Sequence, residues 1–209
     1  MRCAYCHNSE LVLDPPASML IPEEEVMAHL TKRRNLLSGL CITGGEPTLQ
    51  PDLRDFIVKV RALGYKIKLD TNGLRPDILK SLLDESLLDY VAIDIKAGRS
   101  NYANVTEVSD TTKVTESVKM LIDSGVDYEL RTTLVKGLHT EADLTDIRSW
   151  MNEIRNDTKI RHYYLQSYVE RDTVMDKSRQ MTDFSKEELE RFAEILKPLA
   201  DNVSLRGID

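Results

Sequence analysis

The feature of this sequence that most constrains its fold is a repeated alternation of short β-rich runs with amphipathic helical runs. Such alternation predicts a parallel sheet, because each helix carries the chain back to the edge where the next strand begins. The predicted strands start about 31 residues apart, which is the repeat of a β/α barrel. A chain of 209 residues holds about six such units rather than eight, and an open doubly wound sheet is the competing architecture. The predicted strands are Leu40–Thr43, Tyr65–Asp70, Tyr90–Lys96, Tyr128–Val135 and Tyr163–Tyr168.

The helical runs carry their own start and stop signals. Pro51–Leu63 has an apolar stripe and is followed by Gly64, a residue favoured just past a helix end. Ser185 and Glu188 form the spacing of a capping box at the start of the last helix. No linker or low-complexity segment interrupts the pattern, so we expect residues 1–209 to form a single domain. Further helices are predicted after Pro22, from Pro76 to about Leu83, after Asp110 as far as Gly125, and from Thr140.

Polar residues alternate with apolar ones in three consecutive predicted strands. Alternate residues of a strand share one face, whereas a parallel sheet covered on both faces reads as nearly continuous apolar runs. Charged groups that face an interior need partners or a ligand. We therefore predict an open barrel with helices outside and a polar lumen that holds a charged ligand. The polar faces carry Lys66, Lys68 and Asp70, then Asp94 and Lys96, then Arg131 and Thr133.

Composition narrows the class of protein. The net charge is 28 − 35 = −7, which does not favour a nucleic-acid or anionic-membrane partner. No apolar run approaches the ~18 residues of a membrane span, and the N-terminal run MRCAYCHNSE lacks the apolar core of a secretory signal. Three cysteines are too few for a secreted disulfide scaffold. We expect a cytoplasmic protein with reduced cysteines.

Three local motifs are able to carry chemistry. Cys3 and Cys6 form a C-x-x-C, which favours metal ligation, with half of a zinc site or a thiol–disulfide pair as the alternatives. Gly44 and Gly45 follow a predicted strand, where glycine lets the backbone approach a ligand closely or simply makes a turn. The segments that begin at Asp70 and Asp94 end the next two strands. Because active sites of β/α barrels lie at the carboxyl ends of the strands, we expect these motifs to meet.

Taken together, five motifs resemble those of radical S-adenosylmethionine (SAM) enzymes. In chain order they are MRCAYCHN, ITGGEPTLQPDL, KLDTNG, YVAIDIK and RTTLVKGLHT. The sequence is most similar to the activating proteins of anaerobic ribonucleoside-triphosphate reductase and more distantly to pyruvate formate-lyase activating enzymes. The resemblance runs from Arg2 to Arg206, and the joint order of the five motifs is far more specific than any one of them.

The resemblance implies a partial (β/α)6 barrel of the TIM-like, radical SAM type. It also implies a [4Fe–4S] cluster held by three cysteines in a C-x3-C-x2-C run, with SAM bound to the fourth iron. Cys3 and Cys6 match the second and third of these cysteines. The first would fall two positions before Met1, and the first strand of the family also has no counterpart. We expect a late start assignment or a truncation rather than a true variant.

The same resemblance implies roles for residues on either side of SAM. Tyr5 matches the aromatic position near the adenine. Gly44, Gly45 and Glu46 match the segment that binds the methionine amino group. Because carboxylates carry a negative charge, we expect Glu46 to pair with a cationic group of SAM.

The remaining implied site residues lie at the ends of the next strands. They are Asp70, Lys96 and Arg131 as polar groups near SAM, Asn72 as a further SAM contact, and Asp70, Thr71 and Asp94 as a monovalent-cation site. We expect Lys96 and Arg131 to form charge-assisted hydrogen bonds with the carboxylate of SAM.

By this resemblance the protein reductively cleaves SAM and removes a hydrogen atom from a glycine Cα, which installs a glycyl radical on anaerobic ribonucleoside-triphosphate reductase. Its partners are then that glycyl-radical enzyme and an electron donor such as flavodoxin or ferredoxin. One alternative is an activase of a pyruvate formate-lyase-like enzyme, or another radical SAM enzyme. Another is a truncated, catalytically inert metal-binding protein.

Two further residues are expected to be structural. Cys41 lies in a predicted strand, and we expect a small buried core residue there rather than a substitute cluster ligand. His139 begins a loop at the mouth of the predicted barrel, where a role in a cap or turn is favoured over ligand binding.

Overall fold

The computed structural model describes residues 1–8, 11–12, 20–171 and 174–208 of the chain. Within these residues, six strands form one parallel sheet in which each strand pairs with its neighbours in sequence. The strands are β1 (Gly39–Ile42), β2 (Lys66–Thr71), β3 (Tyr90–Asp94), β4 (Asp127–Leu134), β5 (Ile160–Ser167) and β6 (Ala200–Arg206).

Helices connect the strands, in agreement with the predicted alternation. They are α1 (Glu23–Arg33), α2 (Leu53–Ala62), α3 (Pro76–Asp84), α4 (Tyr102–Thr106), α5 (Thr112–Asp123), α6 (Glu141–Ile154) and α7 (Lys186–Leu196), with a 3-10 turn at Pro47–Leu49. The predicted capping box is present at α7, where the Glu188 N–H donates to Ser185 Oγ and the Ser185 N–H donates to the Glu188 carboxylate.

The two faces of the sheet differ as predicted. Ile67, Leu69, Val91, Ile93 and Leu130 point to the helices and are completely buried, which places the apolar core between the sheet and the helix layer. The opposite face is polar. Parallel pairing sets Asp94 opposite Arg131 and Thr133 opposite Gln166 on that face.

The polar face is concave, as a partial barrel requires. Glu129 of β4 bonds to Lys68 of β2 at 3.2 Å and to Arg206 of β6 at 2.8 Å, so side chains two strands apart meet over the sheet. The fold is therefore an α/β partial barrel of the TIM-like type, with a polar lumen and helices outside.

Strand β6 and helix α4 were absent from the predicted elements. Asp201, Asn202 and Ser204 give β6 a polar sequence, because it lies at the edge of the sheet and is half exposed. Helix α4 has only five residues, too few for a helical period to show. Lys96, predicted to lie in the third strand, comes two residues after β3 ends.

The expectation for Cys41 was wrong, because this residue is exposed. It pairs with Lys68 and therefore lies on the polar face of the sheet. Strand β1 pairs only with β2 among the described strands, so no neighbour covers the other side of Cys41. Partial desolvation, and then the nearby Asp70 carboxylate, raise the pKa of its thiol.

Replacing Cys41 by Ala is expected to leave the iron content of the reconstituted protein unchanged. Cys41 is not among the residues that line the cavity containing Cys3 and Cys6, so it is not placed to bind a cluster held by them. Iron and sulfide should be measured per chain, with Cys3→Ala as the variant that does lose iron. A loss of one or more irons per chain in Cys41→Ala would contradict this expectation.

Candidate active site

A cavity of about 460 Å³ lies at the carboxyl ends of the strands. The N-terminal loop and the loops after β1, β2 and β3 supply its walls, together with β4 and the end of β5. Every site residue named from the sequence lines it, which brings the separate motifs together in one place. These residues are Cys3, Tyr5, Cys6, Gly44, Gly45, Glu46, Asp70, Thr71, Asn72, Asp94, Lys96 and Arg131.

The loop that bears the two cysteines is held from both sides by backbone hydrogen bonds. The Ala4 N–H donates to the Val105 carbonyl at 3.2 Å. On the other side, the Met175 N–H donates to the Cys6 carbonyl at 3.2 Å and the Asp176 N–H donates to the Ala4 carbonyl at 3.0 Å. The loop is thus fixed between the segment at Val105 and the segment 174–176, which presents Cys3 and Cys6 to one cavity.

Cys3 is buried and Cys6 is half-buried. Burial raises the pKa of the Cys3 thiol, although the positive charge of Lys96 opposes this rise. A metal that binds Cys3 must displace this proton, and Lys96 favours the thiolate that results. The donor set therefore suits a thiolate-bound metal group placed beside a positive charge.

Arg179 ties the two segments that hold the cysteine loop. Its Nε donates to Asp176 at 3.0 Å, and its terminal nitrogen donates to the carbonyl of Asn104 at 3.1 Å. Replacing Arg179 by Ala is expected to speed amide hydrogen exchange at Met175 and Asp176 up to about fivefold, the effect of losing an exposed pair worth at most ~1 kcal/mol.

Arg75→Ala is the matched control, since its exposure and its local carboxylate pair are similar but it lies outside this clamp. Exchange resolved by residue in the metal-free protein measures the effect. Unchanged exchange at Met175 and Asp176 in Arg179→Ala would show that Arg179 does not hold the loop.

Glu46 bonds to the protein with both of its carboxylate oxygens. Oε1 accepts from the N–H and the hydroxyl of Thr48 at 3.1 and 2.6 Å and from the hydroxyl of Thr71 at 2.7 Å, while Oε2 accepts from the Asn72 N–H at 2.8 Å. A carboxylate offers about four acceptor sites, two on each oxygen, so Oε1 is fully bonded and Oε2 keeps a site for a further donor. The expected contact of this carboxylate with a cationic group of SAM stays a prediction. Glu46 also joins the loop at Gly44, whose φ of +139° favours glycine, to the end of β2.

Arg131 lies between two aspartates. Its Nε donates to Asp94 at 2.8 Å and its Nη1 donates to Asp70 at 3.0 Å, and Lys96 Nζ donates to the other oxygen of Asp94 at 3.0 Å. Burial alone would raise the pKa of Asp94, but Lys96 and Arg131 together lower it. Burial would likewise lower the pKa of Lys96, and Asp94 above all raises it well above its usual value. Asp94 and Lys96 are therefore both ionised at neutral pH.

The predicted monovalent-cation site of Asp70, Thr71 and Asp94 stays a prediction. In this structure both oxygens of Asp94 bind Arg131 and Lys96, and the Thr71 hydroxyl donates to Glu46. Among the described residues, no group of three histidine, cysteine or acidic side chains is arranged to hold a metal ion. The expected contact of Arg131 with the carboxylate of SAM also stays a prediction, and two of the five donors of Arg131 already bond to Asp70 and Asp94.

Three buried polar atoms at the cavity have no hydrogen-bond partner within the described part of the chain: Tyr5 Oη, His7 Nε2 and Asp70 Oδ1. Buried polar atoms in folded proteins are nearly always bonded, so a cluster of such atoms marks a place where a ligand supplies the partner. Lys68 Nζ lies 3.4 Å from Asp70 Oδ1. The cavity therefore fits a ligand that brings both donors and acceptors.

A second network forms the floor of the lumen, and sequence reasoning missed it. Glu129 is 2% exposed and receives two bonds from Arg206, one from Lys68 and one from the Tyr90 hydroxyl. Its carboxylate pKa would be raised by burial, but Arg206 and Lys68 lower it. The signal was present in β4, where Glu129 and Arg131 share the polar face at a spacing of two.

No helix of the described residues is long and apolar enough to cross a membrane.

The model of the Radical SAM superfamily matches residues 1–151. A Methanocaldococcus jannaschii protein that carries the provisional name glycyl-radical enzyme activating enzyme is 29% identical over 215 residues, which covers 100% of this chain and 85% of the relative.

Solved structures share the fold. A domain of pyruvate-formate lyase-activating enzyme from Bacteroides vulgatus superposes with a TM-score of 0.64 at 18% identity, over 82% of this chain and 99% of that chain. Streptococcus suis SuiB bound to S-adenosylmethionine superposes with a TM-score of 0.70 at 13% identity, over 99% of this chain and 47% of that chain. At these identities the likeness establishes the partial-barrel fold alone.

Proposed function

Because the chain belongs to the radical SAM superfamily, we propose that it is an activating enzyme that installs a glycyl radical on anaerobic ribonucleoside-triphosphate reductase. The observation that carries the proposal is the single cavity in which all the residues named from the sequence meet. Similarity along the whole chain to a relative named as a glycyl-radical activase supports the reaction class. The order and the residues of the five motifs resemble most the activating proteins of the anaerobic reductase, which favours this reductase as the enzyme that is activated. We also propose that residues 1–209 act as one radical SAM domain.

The superfamily uses a [4Fe–4S] cluster and SAM, and the cavity offers two cysteines for the cluster and charged and unbonded polar groups for SAM. Cys3 and Cys6 would supply cluster thiolates, which are the usual ligands of such clusters. The unbonded polar atoms of Tyr5, His7 and Asp70 would find partners on the bound cofactors. A cluster held by Cys3 and Cys6 would supply the electron for reductive cleavage of SAM, the chemistry from which removal of a glycine hydrogen atom would follow.

Lys96 is the residue best placed to bind the carboxylate of SAM. One of its three protons goes to Asp94, and the remaining two are free to donate among the described residues. Arg131 bonds to Asp94 and Asp70, so it orients the Asp70 carboxylate that would receive the cationic end of SAM and keeps further N–H donors for the ligand. We assign the methionine amino group to the backbone at Gly44 and Gly45 together with Asp70, and a further contact to Asn72.

The residues around the cysteines exclude water. Cys3, Ala4 and Tyr5 are each less than a tenth exposed. Tyr5 lies against His139, and burial raises the pKa of its hydroxyl so far that it stays protonated. A dry, rigid wall protects a reactive intermediate from side reactions. We assign Tyr5 to the adenine side of the site.

We propose a glycyl-radical enzyme as the protein partner and a flavodoxin or ferredoxin as electron donor. A deciding experiment mixes the reconstituted protein, SAM and a reductant with purified anaerobic ribonucleotide reductase under anaerobic conditions. The proposal predicts a glycyl-radical EPR signal on the reductase that requires SAM and is absent with Cys6→Ala. A signal on a pyruvate formate-lyase-like enzyme and none on the reductase would contradict the proposed target but not the reaction.

A further inference from the structure

His139 is a buried histidine beside the cavity that is absent from the roles assigned above. It is 3% exposed and lies in the loop between β4 and α6. Its Nδ1 accepts a hydrogen bond from the Val135 N–H at 3.1 Å, and its Nε2 lies 2.8 Å from the Lys96 carbonyl oxygen. A nitrogen that accepts from an N–H carries no proton, so the proton of the neutral ring must lie on Nε2. His139 therefore donates to the backbone of Lys96.

The backbone of Lys96 needs such a contact because β3 has already ended. Up to Ile95 the chain is held by β4, since the Ile95 N–H donates to the Arg131 carbonyl at 2.7 Å and Thr132 Oγ1 donates to the Ile95 carbonyl at 2.8 Å. One residue further on, the His139 ring provides the bond to the Lys96 carbonyl. This imidazole is thus one of the groups that hold the Lys96 backbone beside the cavity.

His139 also contacts the other side of the site. Its ring meets the ring of Tyr5 edge-on, with 6.1 Å between the centroids and 63° between the planes. One side chain therefore touches both the loop of the cysteines and the residue after β3.

The loop that carries His139 is rigid. Lys136 and Thr182 exchange two backbone hydrogen bonds, at 2.8 and 3.2 Å. Gly137 has a φ of +99°, and a Cβ at this residue would lie only 2.3 Å from the Gln180 carbonyl oxygen. Burial lowers the pKa of His139, which keeps the ring neutral at pH 7.

From this geometry we propose that His139 is a positioning residue of the SAM site, which fixes Lys96 through the Nε2–H bond to its carbonyl and fixes Tyr5 by ring contact. The proposal rests on the proposed function, because it takes Lys96 and Tyr5 as parts of that site. In this role His139 acts through Lys96 and Tyr5 and does not itself contact the ligand.

Three substitutions separate the two hydrogen bonds of the ring. The side-chain nitrogen of Gln reaches the place of Nε2, so His139→Gln keeps the donor to Lys96. The side-chain oxygen of Asn reaches the place of Nδ1, so His139→Asn keeps the acceptor for Val135 and loses the donor. His139→Phe keeps the ring shape and neither bond. We expect the dissociation constant of SAM to rise about tenfold in the Asn and Phe variants and less than threefold in the Gln variant.

A second measurement does not involve a bound cofactor. Amide hydrogen exchange from Ile95 to Ala97 in the cofactor-free protein should accelerate in the Asn and Phe variants and stay near wild type in the Gln variant. Tyr65→Phe is the control for general loss of stability, because it removes a buried hydrogen bond of 2.7 Å to the Leu30 carbonyl at the start of β2, the opposite end of the strand from the cavity. We expect it to lower the melting temperature without changing exchange at Ile95–Ala97 or SAM affinity.

The outcomes distinguish this inference from the proposed function. Wild-type protein that does not bind SAM would overturn the proposed function. Exchange at Ile95–Ala97 in the cofactor-free variants would still show whether His139 holds Lys96, because the Asn and Phe variants should exchange faster than wild type there. Wild-type binding together with equal affinities and equal exchange in all three variants would overturn the inference alone. A Gln variant as impaired as the Phe variant would overturn it too, because the donor to Lys96 would then be irrelevant.

Discussion

Replacing Arg131 by Met is expected to lower the free energy of unfolding by about 3 kcal/mol, the scale for removing one partner of a buried ion pair. The side chain of Arg131 is 12% exposed and bonds to both Asp70 and Asp94. Met fills a similar volume but leaves each of these buried carboxylates with one cation fewer. Urea denaturation followed by circular dichroism measures the change.

The matched control is Arg54→Met, whose ion pair with Glu85 lies on the surface and should contribute far less. The loss in Arg131→Met should also depend on pH. The pKa of Asp94 is lowered in the folded protein, so its ion pairs stabilise the fold above the unfolded-state value of about 4 and cease to do so as pH falls further. Equal denaturation midpoints for Arg131→Met and wild type at pH 7 would contradict this account of the network.

Replacing Lys96 by Met is expected to reduce SAM cleavage at least about 100-fold, which corresponds to ~2.7 kcal/mol of lost interaction with a charged ligand. Asp94 retains its bond to Arg131 in this variant, so the fold should lose less stability than in Arg131→Met. Formation of methionine and 5′-deoxyadenosine under anaerobic conditions measures the rate.

Lys68→Met is the matched control for the second prediction. Lys68 lies on the same polar face and also forms ion pairs, but it does not line the cavity. We expect its cleavage rate to stay within tenfold of wild type. A Lys96→Met variant that cleaves SAM at the wild-type rate would remove Lys96 from the proposed site.

The sequence predicted the sheet and its polar face because both follow from short-range patterns. Residues such as Ile67 and Leu69 alternate with Lys68 and Asp70, and a period of two determines the face without knowledge of the fold. Five of the six strands were predicted for the same reason. Strand β6 was not, since an exposed edge strand needs no apolar alternation.

The site residues were predicted as a set, but their bonds were not. Motif order brought Cys3, Glu46, Lys96 and Arg131 to one cavity. Which charge pairs with which depends on register and on side chains from strands far apart in sequence, as when Arg131 reaches Asp70 across 61 residues. For the same reason the sequence showed neither the four donors around Glu46 nor the bond from His139 to Lys96.

The central claim is that the cavity binds a [4Fe–4S] cluster and SAM side by side. The most direct measurement is the EPR spectrum of the anaerobically reconstituted and reduced protein, recorded with and without SAM. The account predicts a [4Fe–4S]⁺ signal that changes when SAM is added, with a much weaker change in Lys96→Met and no cluster in Cys3→Ala. A cluster signal that SAM leaves unchanged in the wild-type protein would contradict it.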